Sequence, residues 1–323
     1  MAACTCLTLL LSTGTNAGEV LKVSHQWSTA DIRHKVAQIV ADEVAAADVG
    51  LELKIYPSKS LFKPREQYRP LTRGRLDITV LPLAYASGQQ PAYNLTLMPG
   101  LVKNHDHAAR LYKSVFMDEL EKIMASDDVM VLVHGFLAGG FGAKDKCITK
   151  PADAKGLKIR AAGKSFEQML AGAGASITSM PSSEIYSAIQ TGVLDAANTS
   201  SSSFISFRLY EQLGCFTPAG DIALWFMYQP MLMNKTTFEG LSAAQQDALR
   251  KGASKAEAFY LEEAKKADQA ATEKFKQANV KIAQMTQADF DAWRELSVAT
   301  SLKAFVKETP NGQQLLDLAL EVE

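Results

Sequence analysis

Apolar positions near the start of the chain change their period in a regular order. Leu21-Lys22-Val23-Ser24-His25 alternates as a strand does. From Ile32 to Ala47, Val36, Ile39, Val40 and Val44 recur at helical spacing, and Ser28-Thr29-Ala30-Asp31 supplies N-cap candidates. Gly50 breaks that helix, after which Leu51-Glu52-Leu53-Lys54-Ile55-Tyr56 alternates until Pro57-Ser58 stops it. A second helix is expected from about Pro64 to Arg73, with Gly74 as its C′ glycine, and Leu76 to Leu81 reads as a third, more buried strand. The order βαβαβ implies parallel strands joined by right-handed crossovers.

The same order returns later in the chain. Leu157-Lys158-Ile159 echoes Leu21-Lys22-Val23, and a helix from Lys164 to Leu170 runs into Ala171-Gly172-Ala173-Gly174. Ala175 to Met180 is a strand stopped by Pro181-Ser182, a helix from Ser183 to Thr191 ends at Gly192, and Val193 to Asn198 follows as the third strand. Gly50 lies seven residues before Pro57, as Gly174 does before Pro181, and Gly74-Arg75-Leu76-Asp77 matches Gly192-Val193-Leu194-Asp195. The chain therefore carries two copies of one unit, which predicts two similar α/β lobes. Ligands of open α/β sheets bind beyond the carboxyl ends of the strands, so two facing lobes make an interlobe cleft.

Arg160 ends the first strand of the second copy, and its counterpart in the first copy is the Ser24-His25-Gln26-Trp27 loop. Both are expected to face the cleft. A guanidinium there is a planar fork of donors that stays charged and fits a carboxylate bidentately; on a bare strand it would be a solvated surface cation.

Between the copies, Val129 to Val133 is a buried-strand run leading into the glycine-rich segment His134 to Gly142. That segment lacks the Gly-Lys-Ser/Thr ending of a phosphate loop and reads as a flexible crossover between lobes. After the second copy, Leu232-Met233-Asn234 returns as a strand, and Ser242 to about Lys281 is helical almost without interruption. Continuous to Asn279, that helix would span roughly 57 Å, longer than one lobe, and is expected to bridge both. Sustained a/d apolar spacing is absent, which disfavours a coiled coil. The resulting division places residues 19–141 and about 232–265 in lobe I, and 142–231 and about 266–323 in lobe II.

Composition narrows the classes. At 323 residues, 21% charged and with net charge −1, the chain has the totals of a soluble globular protein with no general attraction to nucleic acid or anionic membranes. No stretch approaches the roughly 20 apolar residues of a membrane span. Residues 1–18, with their short apolar run to Leu11 and small polar residues to Ala17, read as the remnant of a secretory signal cleaved near Ala17. Of the four cysteines, Cys147 and Cys215 would remain; they either pair in an oxidising compartment or stay as buried thiols. Their spacing excludes a cysteine-based zinc site.

The order of elements resembles the solute-binding proteins of TRAP (tripartite ATP-independent periplasmic) transporters over nearly the whole mature chain. The resemblance rests on Leu21 to Trp27, Ile55-Tyr56-Pro57, Gly74-Arg75-Leu76-Asp77, and the Pro-Ala-Asp-Ala-Lys-Gly-Leu-Lys-Ile-Arg run ending at Arg160. It continues through Ser183-Glu184-Ile185-Tyr186, Ala188 to Asp195, and Met233-Asn234 before the long helix. It implies a periplasmic receptor that closes like a clamshell on a small organic acid and delivers it to a membrane permease. The arginine matching Arg160 holds the ligand carboxylate in this family. Family-like contact positions here are Gln26, Trp27, Leu83 to Tyr85, Asn198 and Thr199, with a wall around Trp225 and Phe226. Sialic-acid-binding members carry a second arginine where this chain has Gly140, and a Glu-Asn pair where it has Asn198-Thr199. Those departures, with the aromatic candidates Trp27, Tyr85, Phe141, Trp225 and Phe226, point to a smaller acid against an apolar wall. No cofactor or metal is expected, and a monomer is the default, with a dimer through the C-terminal helices open.

An α/β hydrolase or lyase acting on a small carboxylate in the same cleft is the alternative. It lacks a complete constellation: there is no Gly-x-Ser-x-Gly elbow, and Ser200-Ser201-Ser202-Ser203 reads as a cleft-side turn. His105 and His107 read as a surface helix cap, and Glu66 and Asp77 have no geometry that pairs them. A sensor's binding half would need a transmembrane segment or partner domain.

Overall fold

The repeated Gly-x-Leu-Asp motif has one structural job, done twice. Asp77 accepts the backbone N–H of Lys22 at 2.7 Å, and Asp195 accepts that of Lys158 at 2.8 Å. Each aspartate thereby ties the start of its unit's third strand to its first. Gly74 and Gly192 precede them with φ of 62° and 77°, a turn that a side chain would strain. The computed structural model that shows this describes residues 18–322, so all but Gly18 of the signal-peptide remnant expected over residues 1–18 lies outside the described residues.

Twelve strands form among the described residues: β1 (Glu19–Ser24), β2 (Leu51–Tyr56), β3 (Ile78–Val80), β4 (Val129–Val133), β5 (Phe136–Ala143) and β6 (Lys158–Ala161), then β7 (Ser176–Ser179), β8 (Ala196–Ser200), β9 (Cys215–Thr217), β10 (Trp225–Tyr228), β11 (Met231–Asn234) and β12 (Lys281–Ile282). They build two sheets. The first runs β2-β1-β3-β11-β4 and the second β12-β9-β5-β8-β6-β7, with β10 also paired to β5. β1 lies parallel between β2 and β3 as β6 lies parallel between β7 and β8, so the duplicated units share one topology. The third strands begin two and three residues later than expected, after Asp77 and Asp195, which are spent on the tie just described.

The glycine-rich segment is not a flexible loop, as its composition suggested. Phe136–Ala143 is a fully buried strand inside the second sheet, and only His134-Gly135 makes the crossing. Its glycines answer to close approach: a Cβ at Gly139 would lie 1.9 Å from the Thr199 carbonyl oxygen, and one at Gly140 1.9 Å from that of Thr217. Residues 136–141, placed with lobe I on sequence, therefore lie in the second sheet. The return crossing is Gln229-Pro230, and the two junctions are joined by the Gln229 N–H to the Gly135 carbonyl at 2.7 Å.

A third connection is the helix Ala243–Gln277, which packs against both sheets. Ser242 caps it reciprocally with Gln245. At 35 residues it is about 52 Å long. Its buried side is mostly small: Ala248, Gly252, Ala256, Ala264, Ala267 and Ala271. Gly252 brings it against the helix Ile32–Ala47, where an added Cβ would sit 3.1 Å from the Val40 Cα. Close backbone approach takes the place of large a/d side chains. Cys147 and Cys215 are joined as a disulfide, which ties the segment after β5 to β9.

Candidate functional site

β6 places Arg160 between Thr178 of β7 and Ala197 of β8. Its side chain is buried, at 1% exposure. Nε donates to the Met180 carbonyl at 3.0 Å, Nη1 to the Asn198 carbonyl at 2.6 Å, and Nη2 to the Tyr85 hydroxyl oxygen at 2.8 Å. All three acceptors are neutral, and no carboxylate pairs with Arg160 among the described residues. Burial pulls the guanidinium below its ordinary pKa, opposed by Tyr85.

Tyr85 reaches this arginine from the other lobe, on the short turn Leu83–Ala86 after β3. Its oxygen also accepts the Ser182 N–H at 3.1 Å, so one phenol oxygen takes two donors from the second lobe. The Arg65 guanidinium lies 4.8 Å from the ring centre. Burial pushes this phenol up, but Arg160 and Arg65 outweigh it and the net displacement is downward.

A second buried arginine, Arg33, meets the same cavity. Asp31 caps the helix Ile32–Ala47 and turns its carboxylate onto Arg33, with Oδ2 2.6 Å from Nη2 and Oδ1 2.7 Å from Nε. Arg33 then crosses the cleft to the hydroxyls of Ser200 (3.3 Å) and Ser203 (3.1 Å), and to the side-chain oxygen of Gln229 (2.9 Å) at the crossing. The Trp27 ring covers it at 4.0 Å. Asp31 is held below the usual carboxylate range: burial alone would raise it, and Arg33 reverses that.

The cavity between the two arginines is small, about 10 Å³, room for roughly one water molecule. Of the residues expected at the ligand, Arg160, Tyr85, Thr199 and Trp225 line it. Asn198 stands behind, its carbonyl on Arg160 and its Oδ1 accepting the Ala162 N–H, with Nδ2 buried and unpartnered. Trp27 contributes through Arg33. Gln26 is buried with neither amide atom hydrogen-bonded, and it does not line this cavity. Phe141 stacks on Trp293 at 5.6 Å, and Phe226 meets the His105 ring at 5.2 Å. Both lie outside the lining. Alternation explains the second case: Trp225 and Met227 of β10 face the cavity, so Phe226 between them faces away.

Sequence reasoning missed Arg33, Ser182 and Gln229. Asp31-Ile32-Arg33 at a helix start was visible, but read only as a cap. The serine run is a strand end and a helix start, with Ser200 capping Ser201–Ser206, rather than a turn. His105 and His107 are not a surface cap either: Asn104 caps that helix, His107 is buried, and His105 pairs with Asp268 at 2.7 Å. Ser201 donates to the same carboxylate at 2.5 Å, so Asp268 stands between hydroxyl and imidazole, and the histidine cannot act as that serine's base.

A family model described as bacterial extracellular solute-binding protein, family 7, matches residues 23–308. The chain belongs to that family. A solute-binding protein of Albidiferax ferrireducens is 35% identical over 305 residues, covering 93% of this chain and 90% of its own. The 2,3-diketo-L-gulonate-binding periplasmic protein YiaO of Escherichia coli is 26% identical, covering 97% and 94%. The crystal structure of a TRAP periplasmic solute binding protein from Rhodoferax ferrireducens, with bound malonate, superposes with a TM-score of 0.90 at 35% identity, covering 94% of this chain and 98% of that one. This family 7 member thus has the two-lobe α/β fold of those receptors. Its relatives are binding proteins, and among its described residues no helix is long and apolar enough to cross a membrane and no side-chain group has the makings of a metal site.

Proposed function

We propose that the protein is a periplasmic receptor that holds a small organic acid by its carboxylate on Arg160 and hands it to a TRAP-type permease, working as a monomer. The observation that carries this is the unbalanced charge on Arg160. A buried cation is stable when an anion faces it, and the protein provides only neutral oxygens. Three of its five N–H donors are spent, leaving one on each terminal nitrogen, the number that a bidentate carboxylate takes. The malonate held by the Rhodoferax ferrireducens protein supports the ligand class. Tyr85 and Ser182, bonded across the lobes, are the contacts that closure on the acid would make, with 134–135 and 229–230 as the hinge.

Calorimetry with a series of small carboxylates tests this. Binding is expected in the wild type, and Arg160→Ala should weaken it by about a hundredfold or more. Arg160→Lys should recover only part, because the charge returns without the fork. Undiminished affinity in Arg160→Ala overturns the assignment, as does turnover of the bound acid seen by mass spectrometry.

A further inference from the structure

The two arginines of the cleft differ in what they have left to give. Arg33 has five N–H donors and makes five side-chain hydrogen bonds: two to Asp31, one each to Ser200, Ser203 and Gln229. No donor remains for a ligand. Its charge is also cancelled, because Asp31 is buried against it as a carboxylate. Arg160 has two donors left and no counter-charge. Arg33 and Arg160 are the two charged side chains among the residues lining the cavity. Arg65 sits beyond the Tyr85 ring, part-exposed, with its own bond to Ser179 at 3.1 Å, and does not line the cavity.

Among the lining residues the one uncompensated charge is therefore that of Arg160, and Arg65, whose buried Nε has no partner, adds positive charge on that same side behind Tyr85. At the Arg33 end the cleft offers the Ser203 hydroxyl, to which Ser200 has already given its own proton at 3.0 Å, the Gln229 amide and the buried Trp225 indole N–H, which has no partner. We infer that the site selects a singly charged carboxylate whose far end is neutral and carries a hydrogen-bonding oxygen. A second carboxylate placed there would find Arg33 already saturated, and the Asp31 charge directly behind it. Its burial would be uncompensated. This rests on Arg160 as the carboxylate anchor and narrows that reading to one class of acid.

Isosteric pairs separate the two charges cleanly: malonate against malonamate, and succinate against succinamate, by calorimetry at a pH where the diacids carry both charges. The monoanion of each pair is expected to bind at least about tenfold tighter. The diacids should gain affinity as pH falls and they become monoanions. Asp31→Asn keeps an oxygen acceptor for Arg33 and removes its counter-charge, so it should shift the preference toward the diacid. Equal or tighter binding of the fully charged diacid by the wild type overturns the inference while leaving Arg160 as anchor. Binding of none of the four, nor of any other carboxylate, overturns the underlying reading instead. If Asp31→Asn does not fold, the wild-type pairs still decide.

Discussion

His25 and His34 meet at 3.1 Å beside the Asp31–Arg33 pair. The Trp27 N–H donates to His25 Nδ1, so the His25 proton sits on Nε2 and points at His34. Burial first, then His34, lower His25 from 6.5 to about 4, and burial also lowers His34. Asp31 and Arg33, the charged groups that face the pair, pull His25 up and down respectively. With a folded pKa below the unfolded one, the unfolded chain takes up protons first as pH falls. The contribution is therefore complete above 6.5 and lost between 6.5 and about 4, about 3 kcal/mol from His25 alone. Urea unfolding across that range should show it, and His25→Gln should flatten the profile. At this scale Arg160 was legible because its strand and glycine context repeat. Arg33 was not, because its partners across the cleft lie 167 to 196 residues away in sequence.

Strand β5 shows where an element defeats its own composition. The backbones of three neighbouring strands, β8, β9 and β10, close on it, and glycine is the residue that admits them. Periodicity sees no alternation in Ala138-Gly139-Gly140 and so predicts a loop. Gly140→Ala should cost about 3 kcal/mol in chemical denaturation, because the Thr217 carbonyl at 1.9 Å is backbone and cannot swing aside. A destabilisation within experimental error would show that the sheet yields there. The same crowding bars an arginine from this position. The long helix was the opposite case: its cap, its length and its lack of proline are local, and the prediction needed only small changes at its ends.

For the whole molecule, the disulfide is the tie that most constrains the unfolded chain. Cys147 and Cys215 are 68 residues apart, and closing a loop of that length is worth about 4 kcal/mol in the chain-entropy account. Replacing both by serine should lower unfolding stability by that order, whereas carboxylate affinity should persist, since neither cysteine lines the cavity. Equal stability with and without the bridge would place the constraint elsewhere. Two cysteines in a sequence cannot show this, because pairing is a matter of distance.

What the sequence determined by itself is what depends on short spacings: the period of each element, the punctuating glycines, the duplicated unit, and Arg160 at a strand end. From those follow two α/β lobes and an arginine at the cleft between them. The tertiary structure decided which groups meet across the cleft. It brought Ser200, Ser203 and Gln229 onto an Arg33 that the local cap had already paired with Asp31, and it left Arg160 without a counter-charge. One cation is thereby paired and the other left facing only neutral oxygens. That distinction belongs to no segment, because electrostatic balance in a buried site is set by every charge within a few ångströms, wherever the chain supplies it.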